Sequence, residues 1–495
     1  MDGHDLPEDV WRSVLAFCDV ATVLSLGAIN KYLREIALSK QVWLAIVREL
    51  AWRLFIDVDS KEEAVLAMET TQQLVSRVKR LVRGPHSWAN GVKPVIRGPH
   101  SWANGVKPVV QRTQLIDAPL PRPTTTRSQL TIARGGHYFV IRDHFGLRIH
   151  RCVDAERIWE LKTHGLEDLY RCHPEWEMQE GGHEMVVVFQ EYQSHKAFGT
   201  LRVFRVNLRT GMETLELSTP IARHTSSITY DPVLRGSYVV VQTHHRGMQS
   251  LDFLVVNWRQ RVFAIIHGFE GDLHTNLMPM PGYVVIVRRR PAPSILPTST
   301  PPKYVSLELY SLASLKWTDV PSDPSLRAGG GVVNYWNSLN AAVLQPVLSR
   351  EIPGNKLKNV SMHICEDPIR RDVFQLVVCT THTKKPPNPV SHLYRWRFRT
   401  DNEQLEDVIT PNGPTTHAFS AENLTYAGFA LYETESSSVV RDILAKGGRE
   451  KQTQARVVLD LPRGSKARFH SLSLGRNSNM VPFVEQGKLV LRSYV

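Results

Sequence analysis

Apolar residues over the first 80 positions recur every three or four residues, as in Val10, Val14 and Leu15 and again in Val23, Leu24 and Leu26, which is the period of an amphipathic helix. Capping side chains mark the helix starts. Asp19 precedes a segment beginning at Val20, and Ser39 precedes one holding Val42, Trp43 and Ile46. Ser60 with Glu63 forms an S-x-x-E capping box ahead of one helix over Ala64 to Leu81. The pattern predicts five short helices between Leu6 and Arg80.

Beyond residue 111 the period shortens to two. The segments HYFVIRD (137–143), LRIHRCV (147–153), MVVVFQEY (185–192), TLRVFRV (200–206), YVVVQT (238–243), LDFLVVNW (251–258), YVVIVRR (283–289), VFQLVVCT (373–380) and LYRWRF (393–398) are short, rich in Val, Phe and Tyr, and separated by turn residues, so they predict strands. With no helix-length amphipathic run between them, the connections are expected to be antiparallel. A unit of strand, turn, strand, turn and short strand begins near His137, Glu184, Ser237, Gly282, Asp372 and Tyr426. Its last strand often holds Trp or Leu, as in RIWEL (157–161) and LKWTDV (315–320). Successive starts from His137 to Gly282 lie about 45–55 residues apart, close to the size of a propeller blade. The expected fold class is therefore α + β and multidomain: an N-terminal helical module followed by an all-β, β-propeller-like domain of about six to eight blades.

The boundaries that follow are 5–50 for a first helical module, 51–82 for a helical extension, 83–126 for a linker and 127–495 for the β domain. The linker holds a tandem duplication, RGPHSWANGVKPVI followed by RGPHSWANGVKPVV, whose Gly, Pro and Asn residues predict loop. Two further insertions, RRRPAPSILPTSTPPK (288–303) and KKPPNP (384–389), read as exposed loops because repeated proline cannot donate ladder hydrogen bonds.

Composition narrows the class. At 42% hydrophobic and 22% charged residues, the 495-residue chain has the makings of globular domains with sizeable cores. Five cysteines, without C-x-x-C spacing, indicate neither a disulfide framework nor a zinc site. The acidic start MDGHDLPEDV lacks leader character, and no apolar run reaches about 18 residues, so a cytoplasmic or nuclear location away from membranes is expected. Residues 1–80 carry 10 Lys/Arg against 12 Asp/Glu, so the net charge of +12 comes from the rest of the chain. Those basic residues are spread over strand segments rather than gathered on one helix, which argues against nucleic acid as the main partner. There is no G-x-S-x-G, P-loop, G-x-G-x-x-G or H-E-x-x-H motif. His244 and His245 alternate along a strand and point to opposite faces, so they cannot share an ion. No catalytic residue, cofactor or metal is expected.

Three helices of about ten residues cannot bury all the apolar side chains of the segment LPEDVWRSVLAFCDVATVLSLGAINKYLREIALSKQVWLAIV, so part of the set must face the next domain or a partner protein. This segment resembles the F-box family in its Leu-Pro start, acidic pair, spaced apolar positions and terminal Trp. The matching positions are Leu6, Pro7, Glu8, Asp9, Val10, Val14, Leu15, Val23, Leu24, Leu26, Ile29, Lys31, Leu33, Ile36 and Trp43, while Cys18 stands where the family has Leu. More loosely, the F-box with its β-rich region is similar to fungal F-box proteins with C-terminal propellers. The resemblance implies docking on a Skp-type adaptor, and through it on a cullin, by Leu6, Pro7, Val10, Val14, Leu15, Leu24, Ile29, Leu33 and Trp43. The implied function is that of a non-catalytic substrate-recognition subunit of an SCF-type ubiquitin ligase whose β domain binds a protein target. The alternative is a propeller scaffold or nucleic-acid-associated protein using its F-box outside a ligase.

Overall fold

The computed structural model describes residues 6–56, 60–83, 110–116, 129–133, 136–143, 146–162, 174–192, 198–222, 232–244, 251–266, 276–291, 303–320, 345–352, 357–382, 390–409, 429–433, 438–442, 456–459, 480–485 and 488–494. The 14-residue duplication, apart from Arg83 and Val110, and the segment 384–389 lie outside them.

Six helices open the chain: α1 (Glu8–Ala16), α2 (Val20–Gly27), α3 (Lys31–Ala37), α4 (Lys40–Trp52), α5 (Ser60–Met68) and α6 (Thr71–Arg83). Pro7 stands at the N-cap of α1, where its carbonyl accepts from the amides of Val10 and Trp11. Asp19 caps α2 by accepting from the Thr22 amide at 2.7 Å, and Asn30 caps α3 through Leu33 at 2.8 Å. Ser39 holds the N-cap position of α4 but makes no side-chain bond there.

The single helix expected over 64–81 is in fact two, which raises the count from five to six among the described residues. The break at Glu69–Thr70 has a local cause. The Thr70 amide donates to Gln73 Oε1 (2.7 Å) and the Gln73 amide to Thr70 Oγ1 (3.3 Å), a reciprocal T-x-x-Q box that starts a new helix. Leu15, Val23, Ile36, Trp43, Ile46, Leu66 and Leu74 fill the core that holds the helices together.

The strands follow. β1 (Val110–Ile116) falls in the stretch expected to be linker. A first sheet comprises β2 (Gln129–Ile132), β3 (Tyr138–Asp143), β4 (Gly146–Arg151) and β5 (Arg157–Lys162), and a second β6 (Glu175–Met178), β7 (Glu184–Tyr192), β8 (Phe198–Asn207) and β9 (Glu213–Ala222). The third has β10 (Val233–Arg235), β11 (Tyr238–His244), β12 (Leu251–Asn257) and β13 (Val262–Ile266). Next come β14 (Asn276–Met280), β15 (Tyr283–Pro291) and β16 (Lys303–Ser311) of the fourth sheet, then β17 (Thr318–Asp319), which returns to the edge of the third, and β18 (Leu348–Ile352), which completes the fourth. β19 (Leu357–Glu366), β20 (Val373–His382), β21 (Val390–Arg399) and β22 (Gln404–Ile409) form the fifth, and β23 (Phe429–Glu433), β24 (Ser438–Asp442) and β25 (Arg456–Leu459) the sixth. In the seventh, β27 (Lys488–Tyr494) pairs with both β26 (Met480–Glu485) and β1.

Every pairing is antiparallel. The chain is therefore a helical module followed by seven antiparallel sheets among the described residues. All nine segments expected as strands are strands. The repeat begins one strand earlier than His137, Glu184, Ser237, Gly282 and Asp372 suggest, because each second strand is preceded by a first strand, β2, β6, β10, β14 or β19. The basic start of the proline-rich insertion is strand as well, since β15 runs to Pro291 and β16 resumes at Lys303.

The first strands of successive sheets contact each other from β6 to β10, β10 to β14 and β14 to β19, and β2 contacts β26. The first five sheets stack face against face. Met185 and Val187 of β7 join a core with Val140, Leu147 and Trp159 of the first sheet, while Val186 and Val188 join Val239, Val241 and Leu254 of the third. Val284 and Ile286 likewise face the third sheet, and Val285 and Val287 the fifth. Runs such as MVVVF and YVVIV are thus apolar at consecutive positions because both faces are covered, with each Val contributing about 1.5–3 kcal/mol.

Antiparallel order sends the connections alternately to two ends of each sheet. At one end lie short turns, including 179–183, 208–212, 236–237, 258–261, 281–282, 367–372 and 400–403. Neighbouring turns are stitched together there: the Tyr283 hydroxyl donates to Glu403 at 2.7 Å, and Arg259 donates to Gln179 at 2.9 Å. The strand ends that flank 193–197, 245–250, 292–302 and 383–389 point the opposite way.

Two outcomes are expected. Leu201→Ala, deep between the second and third sheets, should lower the unfolding free energy by about 2–5 kcal/mol, whereas Leu215→Ala, exposed on the same sheet, should stay within about 0.5, as read from urea unfolding. His150 is buried, stacks on Phe139 and shares a 3.0 Å hydrogen bond with the Ala155 carbonyl. Burial holds its pKa below the usual 6.5, partly offset by that bond. The unfolded chain therefore takes up the proton first, so the contribution is complete above about pH 6.5 and is lost as the pH falls through the depressed folded value. A His150→Asn variant should show a flatter loss of stability between about pH 7 and 5.

Candidate functional site

The first three helices leave apolar side chains uncovered. Val10, Val14 and Phe17 follow at intervals of four and three, which places them on one face of α1 and its C-cap, Leu6 stands just before the N-cap, and all four are exposed. Leu24 on α2, Ile29 in the following turn and Leu38 after α3 are exposed too, with Phe17 at 79% and Ile29 at 66%. Beside them, Val23, Leu24, Lys31, Arg34 and Leu38 line an open groove of about 670 Å³ between α2 and α3. Gly27 lets the two helices close up, since a Cβ there would meet Ala37 Cβ at 3.1 Å.

The nine residues singled out in the sequence divide in two. Leu6, Pro7, Val10, Val14, Leu24 and Ile29 are exposed. Leu15, Leu33 and Trp43 are buried, Leu15 and Trp43 within the core of the module. Phe17 and Leu38 belong to the exposed set and were not singled out. For Phe17 the signal was present, because it continues the Leu6, Val10, Val14 spacing.

Cys18 is half-buried, packs against the module core and donates its thiol to the Val14 carbonyl at 3.4 Å. Burial, and then the neighbouring Asp19 carboxylate, push the thiol pKa up, so it stays protonated and acts as a small apolar side chain.

The opposite side of the module is seated on the sheets. Helix α4 ends in a Schellman motif: the Leu54 amide donates to the Ala51 carbonyl at 2.9 Å and the Phe55 amide to the Leu50 carbonyl at 2.8 Å. The left-handed position, usually glycine, is Leu54 with φ 62°. That conformation costs about 1–2 kcal/mol for an L-residue. It is offset because the leucine, only 5% exposed, enters the core between the first and second sheets beside Tyr138, Trp159 and Met185, a burial of about 1.5–3 kcal/mol.

Around this knob the contacts are polar and specific. The Gly181 amide donates to the Trp52 carbonyl at 2.8 Å, and a Cβ on Gly181 would come within 2.8 Å of the Trp52 ring. The Ala21 amide donates to the Ile369 carbonyl at 3.1 Å, and Ile369 packs on the module core. Arg371 donates to Glu49 at 2.8 Å, and Arg53 donates to the Asp367 carbonyl at 3.2 Å and pairs with Glu49 and Glu366.

No family model matches the chain, and no curated protein sequence does. Solved structures give loose likenesses. A mutant of the α-L-arabinofuranosidase Arb93A from Fusarium graminearum, in complex with an iminosugar inhibitor, is 10% identical with a TM-score of 0.35, covering 77% of this chain and 97% of that one. The AfRom2 CNH domain is 10% identical with a TM-score of 0.32, covering 78% and 99%. The WD40 domain of SCAP from fission yeast is 8% identical with a TM-score of 0.25, covering 75% and 85%. All three scores fall below 0.5, and the architecture described above stands on this chain's own strand pairing. Among the described residues no group of three or more His, Cys, Asp and Glu is placed to hold a metal ion, and no helix is long and apolar enough to cross a membrane.

Gly181→Ala should destabilise the protein by about 2 kcal/mol or more, since it adds contact with the Trp52 ring to a left-handed φ of 84°. Gly236→Ala, with φ 55° and open space around it, should cost only about 1 kcal/mol. Comparing the two melting temperatures separates the junction contact from the backbone term.

Proposed function

We propose that the chain is a substrate receptor of an SCF-type ubiquitin ligase, in which α1 to α3 form an F-box that docks on a Skp-type adaptor and the sheets hold a protein target. The observation that carries this reading is the uncovered apolar face of Leu6, Val10, Val14 and Phe17, together with Leu24 and Ile29, in a module whose apolar spacing follows the F-box pattern. Six exposed apolar side chains within some twenty-five residues form a surface suited to the grooves of a helical partner. The chemistry of ubiquitin transfer belongs to other subunits, and this chain supplies binding and proximity.

We further read the seven sheets as the blades of a closed propeller. Three features support it: the first five sheets pack face to face, the first strands of the second to fifth sheets touch in chain order, and β1 pairs with β27 so that the two ends of the β region share one sheet. Such sharing removes free sheet edges. The strand ends that point away from the helices are then the side on which a target is held.

Full-length protein should co-purify with a Skp-type adaptor. Val14→Glu and Phe17→Ala, both at exposed positions, should each weaken that binding about ten-fold or more while leaving the circular dichroism spectrum unchanged. Absence of adaptor binding by the wild type, or undiminished binding by both variants, would sink the reading. Steeply salt-dependent binding to nucleic acid without adaptor association would favour the scaffold alternative.

A further inference from the structure

We propose that the helical module is locked to the β region as one rigid body by Leu54 and a chain of alternating charges that crosses from one sheet to another, so that the sheets fix the direction in which the exposed face of α1 points. The chain runs from Glu177 at the end of β6 to Arg235 at the end of β10, on to Glu366 at the end of β19, and from there to Arg53 beyond α4. Arg235 Nε lies 3.6 Å from Glu177, Arg235 Nη2 lies 3.5 Å from Glu366, and Arg53 Nη2 lies 3.9 Å from Glu366. Glu177 also accepts from the Gly236 amide, and Arg53 stacks over the Phe55 ring at 4.8 Å.

Two properties separate this arrangement from ordinary surface pairing. The first is burial: the Arg235 and Arg53 side chains are only 7% and 11% exposed, so salt screens them weakly and each depends on its carboxylate partners. The second is topology. β6, β10 and β19 are the first strands of the second, third and fifth sheets, so one arginine joins the sheet next to its own and a sheet two places on in the opposite direction. Arg53 ties the helices to that same crossing point. A flexible tether would need none of this, since domains joined by small polar contacts move freely. It would also end α4 with glycine, the residue that takes the left-handed turn without strain, rather than with a leucine whose side chain fills a cavity in the other domain.

The lock stands on the geometry alone. Its consequence for the ligase, a fixed distance between adaptor and bound target, rests on the receptor reading. The test accordingly uses the full chain without any adaptor. Spin labels introduced through a non-canonical amino acid at the exposed positions Gln72 on α6 and Thr214 on β9 report the separation of the two parts by double electron–electron resonance. The wild type should give one narrow distance distribution that is unchanged at high salt. Leu54→Gly keeps the turn and removes the knob, and with Arg53→Met it should broaden the distribution about two-fold or more. Hydrogen exchange checks that the cores of α4 and β7 stay protected in the double variant. A wild-type distribution as broad as that of a tethered pair, or a folded double variant as narrow as the wild type, would overturn the proposal. Should the double variant unfold, the wild-type width alone decides.

Discussion

Face-to-face packing of sheets is the constraint on which the rest of this molecule depends. A strand with neighbours above and below has no solvent face, so it must be apolar at consecutive positions, and Met185 to Val188 and Val284 to Val287 obey that demand. Outer strands are relieved of it: β9 carries Leu215 in the open alongside Glu213 and Thr214. One cluster of polar side chains that enters these interiors is satisfied locally. Glu308 accepts from Ser306 at 2.9 Å and from Tyr310 at 2.6 Å while paired with Arg288 at 3.1 Å.

The same stacking prepares the seat for the helices. Because successive sheets present their short turns at a common end, a small area gathers glycine turns, a buried arginine and the mouth of an apolar core. Leu54 fills the mouth, Gly181 and Gly182 make room for Trp52 and Leu54, and Glu366 and Asp367 receive Arg53. The module is thereby committed on one side. Its other side, along α1, is left apolar and open, and that asymmetry is what gives the exposed face its meaning.

Much of this was legible in the chain. The strands of YVVVQT, LDFLVVNW and VFQLVVCT announce themselves by length and composition, and Asp19 marks its helix start by the chemistry of its carboxylate. What escaped notice has physical reasons. The first strands are short: β10 has three residues and β14 contains Pro279, so neither gives a periodic signal even though both lie at the meeting points of sheets. β1 was hidden because its partner lies at the far end of the sequence, and pairing of that range leaves no local trace. In the helical segment, spacing identified an apolar set but not its direction. Leu15 and Val14 are adjacent and alike, yet one is core and the other surface, which depends on where α4 lies. Leu54 gave no signal at all, since a leucine in a glycine's place is recognisable only from its φ.

The pairing of β1 with β27 also sets an order of events during synthesis. Val110 faces Tyr494, and Ile116 faces Leu489, so β1 leaves the ribosome long before its partner exists. At about 5–20 residues per second, the wait is on the order of twenty seconds to more than a minute. Through that interval the helical module, whose contacts are mostly local, and the first two sheets that receive Leu54 can already be in place. The seventh sheet cannot. The nascent chain therefore carries a folded head and an unpaired β1 strand together, and the synthesis of β27, rather than the folding of any one sheet, governs when β1 finds its partner.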